Sequence, residues 1–144
     1  MIVIDSNMFD YYFDPTTKEH KYVKPELDKI IRSGEGILTN TIIWIEVAHY
    51  LYKVSKMPRR VLKERIKRLM HLSTMTIEPF DLTALSSSID KLSELWQKPI
   101  GGRDATIVAM MHYKGANRIF THDGGFKELE FLEVIDPIPE NLDK

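Results

Sequence analysis

The chain has 144 residues, with 20 Lys and Arg against 21 Asp and Glu and a net charge of −1. That length suits one domain, residues 1–144, with a full core, and the charge balance excludes binding nucleic acid through overall basicity. Cysteine is absent, which excludes disulfides and thiolate metal sites and fits a reducing compartment. No apolar run approaches the roughly 18 residues of a membrane span. The opening MIVIDSN has neither the basic start nor the long apolar stretch of a signal peptide. A cytoplasmic protein without membrane association is therefore expected.

Residues 1–4 form a continuous β-branched run, as in a strand buried on both faces of a parallel sheet. It stops at Asp5-Ser6-Asn7, and residues 8–13 read as a short helix. A polar loop with Pro15 follows. Pro25 is expected to open a helix that Gly34 and Gly36 close, and residues 36–39 read as the second strand. Thr41 begins a long helix, TIIWIEVAHYLYKVS, whose only formal charge between Ile42 and Tyr52 is Glu46. A second helix over residues 58–71 has Leu62, Ile66 and Leu69 in phase. Residues 74–78 alternate like a strand. Asp81 is placed to cap a helix whose Leu82, Leu85, Ile89, Leu92 and Trp96 share a face, and Pro99 ends it. Strands alternating with helices imply a three-layer α/β/α domain around a mostly parallel sheet.

The stretch GGRDATIVAMMHYKGANRIFTHDGGF, residues 101–126, organises the chemistry. Asp104 opens an apolar helix, residues 118–120 form a strand, and Asp123 lies just past its end. Asp5 ends the first strand in the same way. In an open α/β sheet these positions face the crevice at the carboxyl edge, where ligands bind. Each acid alone has an ordinary structural reading: Asp5 and Asp104 as helix caps, Asp123 as a turn residue. Glu46, alone in its apolar helix, needs either a solvated stripe or a partner, and His49 lies one turn on. Together the four crowd like charges, which is costly unless cations offset them. The available ligands are oxygens, and the sequence has no HExxH or paired-histidine spacing, so hard cations such as Mg²⁺ or Mn²⁺ fit best.

A basic run, Lys53, Lys56, Arg59, Arg60, Lys63, Arg65, Lys67 and Arg68, is broken by one acid, Glu64. Such a run is commonly a solvated helix face. Beside a metal-binding acidic centre it also suits a polyanion, with Arg59, Arg60, Lys63 and Lys67 on its phosphates. Arg103 is a further candidate phosphate contact. Trp44 and Trp96 read as core or interface residues, and His122 as a surface turn histidine.

The opening IVIDSN, the helix TIIWIEVAHYL, the helix start RDATIVA and the strand end RIFTHDGGF occur in an order and spacing that resemble a PIN-domain nuclease. That is the fold of toxins in VapBC-type toxin–antitoxin pairs and of several RNA-processing enzymes. The resemblance covers nearly the whole chain. It implies a Mg²⁺- or Mn²⁺-dependent endoribonuclease with Asp5, Glu46, Asp104 and Asp123 as acidic metal ligands. Ser6, Asn7 and Thr121 would be supporting polar groups. The implied partners are an RNA substrate, a small antitoxin protein and a second copy of the chain. Many relatives carry Asp-x-Asp-Phe after the fourth strand, whereas Gly125 stands at the second acidic position here. A second metal site should then be mostly water and substrate phosphate. That departure also keeps open a catalytically weak module that binds RNA or protein, beside an RNA-processing role outside toxin–antitoxin pairs.

Overall fold

The computed structural model describes residues 1–142; the end of the expected polar tail, residues 143–144, lies outside them. Its strands are β1 (Ile2–Ile4), β2 (Ile37–Asn40), β3 (Met75–Glu78), β4 (Arg118–Phe120) and β5 (Glu133–Ile135). The sheet order is β3-β2-β1-β4-β5, with every neighbouring pair parallel. Val3 is in register with both Leu38 and Ile119, which fixes β1 at the centre. All three residues of β1 are fully buried, as expected for a strand covered on both faces.

The helices are α1 (Ser6–Phe13), α2 (His20–Ser33), α3 (Thr41–Val54), α4 (Arg59–Met70), α5 (Leu82–Glu94), α6 (Gly102–Lys114) and the one-turn α7 (Gly124–Lys127). The chain moves outward from β1 to β2 and β3, then crosses back to β4 and β5. Right-handed crossovers in opposite directions place α1–α4 on one face and α5–α6 on the other. The packing agrees: α1 meets α2 and α3, α3 meets α4, and α5 meets α6. The α/β/α layering expected from the sequence is thus observed. Because β1 and β4 are neighbours from which the chain departs in opposite directions, their carboxyl ends form the topological switch point of the sheet, where such sheets bind ligands. No helix among the described residues is long and apolar enough to cross a membrane.

Three elements depart from expectation. Helix α1 begins at Ser6 rather than at residue 8, because Asp5 leaves β1 and caps the helix at once, accepting from Ser6 N at 2.7 Å. Helix α2 begins at His20, with Pro25 inside it. Pro25 is the sixth residue of α2, past the first turn, so its missing N–H costs the helix one bond, to the Lys21 carbonyl. The third concerns α5. Asp81 caps it as expected, accepting from Ala84 N, but its apolar stripe faces outward. Leu82 is 83% and Trp96 74% exposed, and Leu85 and Ile89 are exposed as well. The buried residues are Ala84 and Ser88, small side chains one turn apart that let α5 lie close on α6. Ser88 satisfies its hydroxyl on the Ala84 carbonyl at 2.7 Å. Periodicity locates the stripe but does not say which way it faces; Leu92 within it is half-buried.

Candidate functional site

Each acid at the carboxyl edge is first a piece of local structure. Asp5 is fully buried; its Oδ1 caps α1, and its Oδ2 accepts from Thr121 Oγ1 at 2.7 Å. Asp123 caps α7, accepting from Gly125 N at 2.9 Å, and its own N–H donates to Thr121 Oγ1 at 3.1 Å. Asp104 reaches back to Gly101 N at 3.2 Å, the half of a capping box that a glycine N-cap permits. The Asp5 cap is as expected, whereas Asp104 sits inside α6 at its third position, with Gly101 as the N-cap, and Asp123 caps α7 where a plain turn is expected. These bonds also fix the carboxylates in place, with Thr121 bridging the ends of β1 and β4.

Arg103 draws these acids together. Its Nε donates to Glu46 Oε1 at 2.6 Å, and its Nη1 donates to Asp104 Oδ1 at 2.9 Å. Its Nη2 donates to Asp5 Oδ1 and, at 2.7 Å, to Ser6 Oγ. Burial alone favours the neutral guanidinium, but Asp5 and Glu46 outweigh it and push its pKa further up, so it stays a cation. Glu46 thus has a partner, and that partner is Arg103 rather than the exposed His49. Arg103, expected at the phosphates, lies among the acids instead.

One acid has no place in the sequence pattern. Asp10 lies on α1, one turn beyond Ser6 and Asn7. Burial, then the negative charges of Glu46 and Asp5, push its carboxyl up to about 8, and Arg103 offsets only part of this. The Oδ1 atoms of Asp10 and of Asn7 are both buried without a hydrogen-bond partner among the described residues. Burial also raises the Asp104 carboxyl, opposed by the Gly101 N–H, with the Asp123 charge adding to the rise. The site therefore carries more negative charge than Arg103 balances.

This donor set suits a hard cation. It is all oxygen, it already holds one cation, and it includes two orphaned buried oxygens. As the side chains stand, no three acidic or imidazole groups among the described residues converge tightly enough to hold a metal ion. The Arg103 guanidinium lies between Asp5, Glu46 and Asp104. Gly125 also has a physical explanation. A Cβ there would lie 2.5 Å from the Pro99 carbonyl oxygen, which is backbone and cannot step aside. A carboxylate at position 125 therefore requires the 99–101 segment to move.

The remaining expectations divide. His122 pairs with Asp136 at 2.8 Å and sits edge-on to Tyr11. Trp44 is core, tilted against Phe9 with centroids 4.5 Å apart, its Nε1 donating to Thr39 Oγ1. On α4, Leu62, Ile66 and Leu69 face inward as expected, and Arg59, Arg60, Lys63 and Lys67 are exposed. Arg65 and Arg68, also exposed, line a cavity of about 610 Å³ with Tyr12, Phe13, Met57 and Leu69; its lining includes none of the four acids.

A sequence profile described as PIN domain matches residues 2–132. The chain belongs to the PIN domain family. Three solved structures show the same fold. The Mycobacterium tuberculosis toxin VapC20, described as sarcin–ricin loop cleaving, superposes with a TM-score of 0.74 at 16% identity, over 93% of this PIN domain and 98% of that chain. FitAcB from Neisseria gonorrhoeae gives 0.71 at 22% identity, over 95% and 98%. VapBC2 from Rickettsia felis, bound to a promoter DNA fragment, gives 0.68 at 18%, over 94% and 98%. No curated protein matches the chain in sequence.

Proposed function

We propose that this PIN domain, folded as one unit, is a Mg²⁺- or Mn²⁺-dependent endoribonuclease and the toxin of a cytoplasmic toxin–antitoxin pair. The observation that carries this reading is the convergence of Asp5, Glu46 and Asp104 on one cationic group at the switch point of the sheet. Asp5, Glu46, Asp104 and Asp123 would hold the metal. When bound, it would supply Lewis acidity to activate water and to offset charge on the scissile phosphate. Thr121 holds the Asp5 carboxylate and the Asp123 backbone in fixed relation. Ser6 and Asn7 offer polar oxygens beside them. Arg59, Arg60, Lys63 and Lys67 would hold flanking phosphates.

The toxin role draws support from the toxin and the toxin–antitoxin complex among its structural neighbours. It implies a small antitoxin partner. The outward apolar face of α5 favours a homodimer, since patches of this kind mark contact surfaces. A second reading, a catalytically weak binding module, is favoured by the blocked position at Gly125.

Cleavage of a generic RNA by the purified protein, with Mn²⁺ and with chelator, separates the two. Asp5→Asn keeps an oxygen to accept from Ser6 N, so it should fold. Its cleavage rate should fall by at least about 100-fold, since even groups that only orient a metal's ligands typically cost 10–100-fold. Undiminished cleavage by Asp5→Asn refutes the site assignment, and no cleavage by the parent protein under any divalent metal favours the binding module.

A further inference from the structure

We propose that Arg103 is an internal counter-ion latch: it occupies the acid cluster of the metal-free protein, and a divalent cation must displace it to bind. This rests on the metal-dependent reading above and adds a competing residue to it. The guanidinium contacts the same oxygens that a hard cation would need, namely Asp5 Oδ1, Glu46 Oε1 and Asp104 Oδ1. Mg²⁺ takes oxygens at about 2.0–2.1 Å in near-octahedral geometry. A guanidinium spread between three carboxylates keeps them apart from such a geometry, and a second positive charge beside the ion would repel it. The two cations are therefore alternatives.

Arg103 is also built to leave. It lies in the first turn of α6, the positive end of the helix dipole, where a cation is disfavoured. The carboxylates, rather than the helix, hold it in. Its side chain is 28% exposed, so the head group can turn outward without opening the core. Two glycines, Gly101 and Gly102, precede it, and neither has a neighbour that confines it closely. Once displaced, its planar fork matches a phosphate in bidentate fashion. That reconciles a phosphate-binding arginine in the sequence with one found among acids in the structure.

Calorimetric Mn²⁺ titration of the RNA-free parent, Arg103→Gln and Arg103→Lys tests the latch without any activity measurement. Close charge pairs at interfaces couple strongly enough that removing the competitor should tighten Mn²⁺ binding to Arg103→Gln by at least about tenfold. Arg103→Lys, a point charge that reaches fewer of the three acids, should fall between. In the parent protein, the Nε–H resonance of Arg103 should move during a Mg²⁺ titration, with the same midpoint as metal binding and saturating with it. That readout requires no variant to fold. A merely structural arginine would keep its resonance.

Equal or weaker Mn²⁺ binding by a folded Arg103→Gln overturns the latch and leaves the nuclease reading intact. So does an Nε–H resonance that stays fixed at saturating Mg²⁺. Absence of divalent binding by both parent and Arg103→Gln overturns the latch and the metal-dependent reading together.

Discussion

Arg103 and Arg118 stand at opposite edges of one sheet, and each gathers acids from distant parts of the chain. Arg118 opens β4 at the amino edge. It pairs with Glu35, just before β2, and with Glu133, the first residue of β5, at 3.1 Å. Glu35 also meets the amino group of Met1 at 3.3 Å. Two acids there face two cations. At the carboxyl edge, Arg103 alone faces Asp5, Glu46 and Asp104, with Asp123 adding negative charge and Asp10, its carboxyl pushed up to about 8, keeping its proton at neutral pH. One edge is balanced and ties strands together. The other is in deficit, and its deficit is what a divalent cation would fill. An arginine among acids is therefore no functional sign in itself; the sign is the charge left over.

The largest effect expected from this contrast concerns RNA. An acid-rich carboxyl edge repels a polyanion, so the phosphates must be held elsewhere. Arg59, Arg60, Lys63 and Lys67 are exposed on α4, and none forms an ion pair among the described residues. Their joint replacement by Ala should weaken RNA binding and flatten the slope of log affinity against log salt by about 0.7 for each phosphate that the protein no longer neutralises. An unchanged slope would mean that the face is only solvated or serves a protein partner.

Much of this is legible in the sequence, and the exceptions have causes. Asp5 and Asp123 are legible because a short apolar strand ending in a carboxylate fixes where that carboxylate goes. Asp10 is not. With α1 begun at residue 8 it falls on no recognisable face, whereas a start at Ser6 puts it one turn from Ser6 and Asn7, above the cluster. Arg103 is visible in the sequence but its place is not. Adjacent helix residues point in different directions, so sharing a site with Asp104 requires the long side chain to fold back, which no spacing rule encodes. For α5, periodicity gives a face and not its partner; the buried face is marked by Ala84 and Ser88. Gly125 stands out as a departure, but its cause, the Pro99 carbonyl, is a tertiary contact.

The charge deficit should also appear as a pH dependence. The Asp10 carboxyl is held up to about 8, first by burial and then by Glu46 and Asp5. In the unfolded chain it ionises near its ordinary value of about 4. Between those two pH values the folded state binds the extra proton, so this group's contribution to stability is complete below about pH 4, declines as pH rises, and is gone above about pH 8. Asp10→Asn removes the linkage. Its stability relative to the parent should be level below pH 4 and should climb through the window to a gain on the order of 1–2 kcal/mol above pH 8, the nominal shift being discounted for partial solvent access. Denaturant unfolding of both proteins from pH 4 to 9 measures this. A difference that does not vary with pH would show that Asp10 is not repelled by the cluster.

The smallest effect is expected at the balanced edge. The Arg118 side chain is 38% exposed, and pairs of that kind are typically worth about 0.2–1 kcal/mol. Removing it in Arg118→Ala leaves Glu35 with the Met1 amino group and leaves Glu133 largely in solvent, so neither acid becomes a buried unpaired charge. The cost should stay below about 1 kcal/mol and shrink at high salt, because screening weakens exposed pairs. Mn²⁺ affinity should not change, since the residue lies at the far end of β4 from Thr121 and Asp123. Unfolding at low and high salt, with a parallel Mn²⁺ titration, checks both halves. A destabilisation well above 1 kcal/mol, or a shift in metal affinity, would mean that the two edges communicate through the three residues of β4. In that case the carboxylate geometry would depend on strand position as well as on local caps, and the division of the sheet into a structural and a chemical edge would fail.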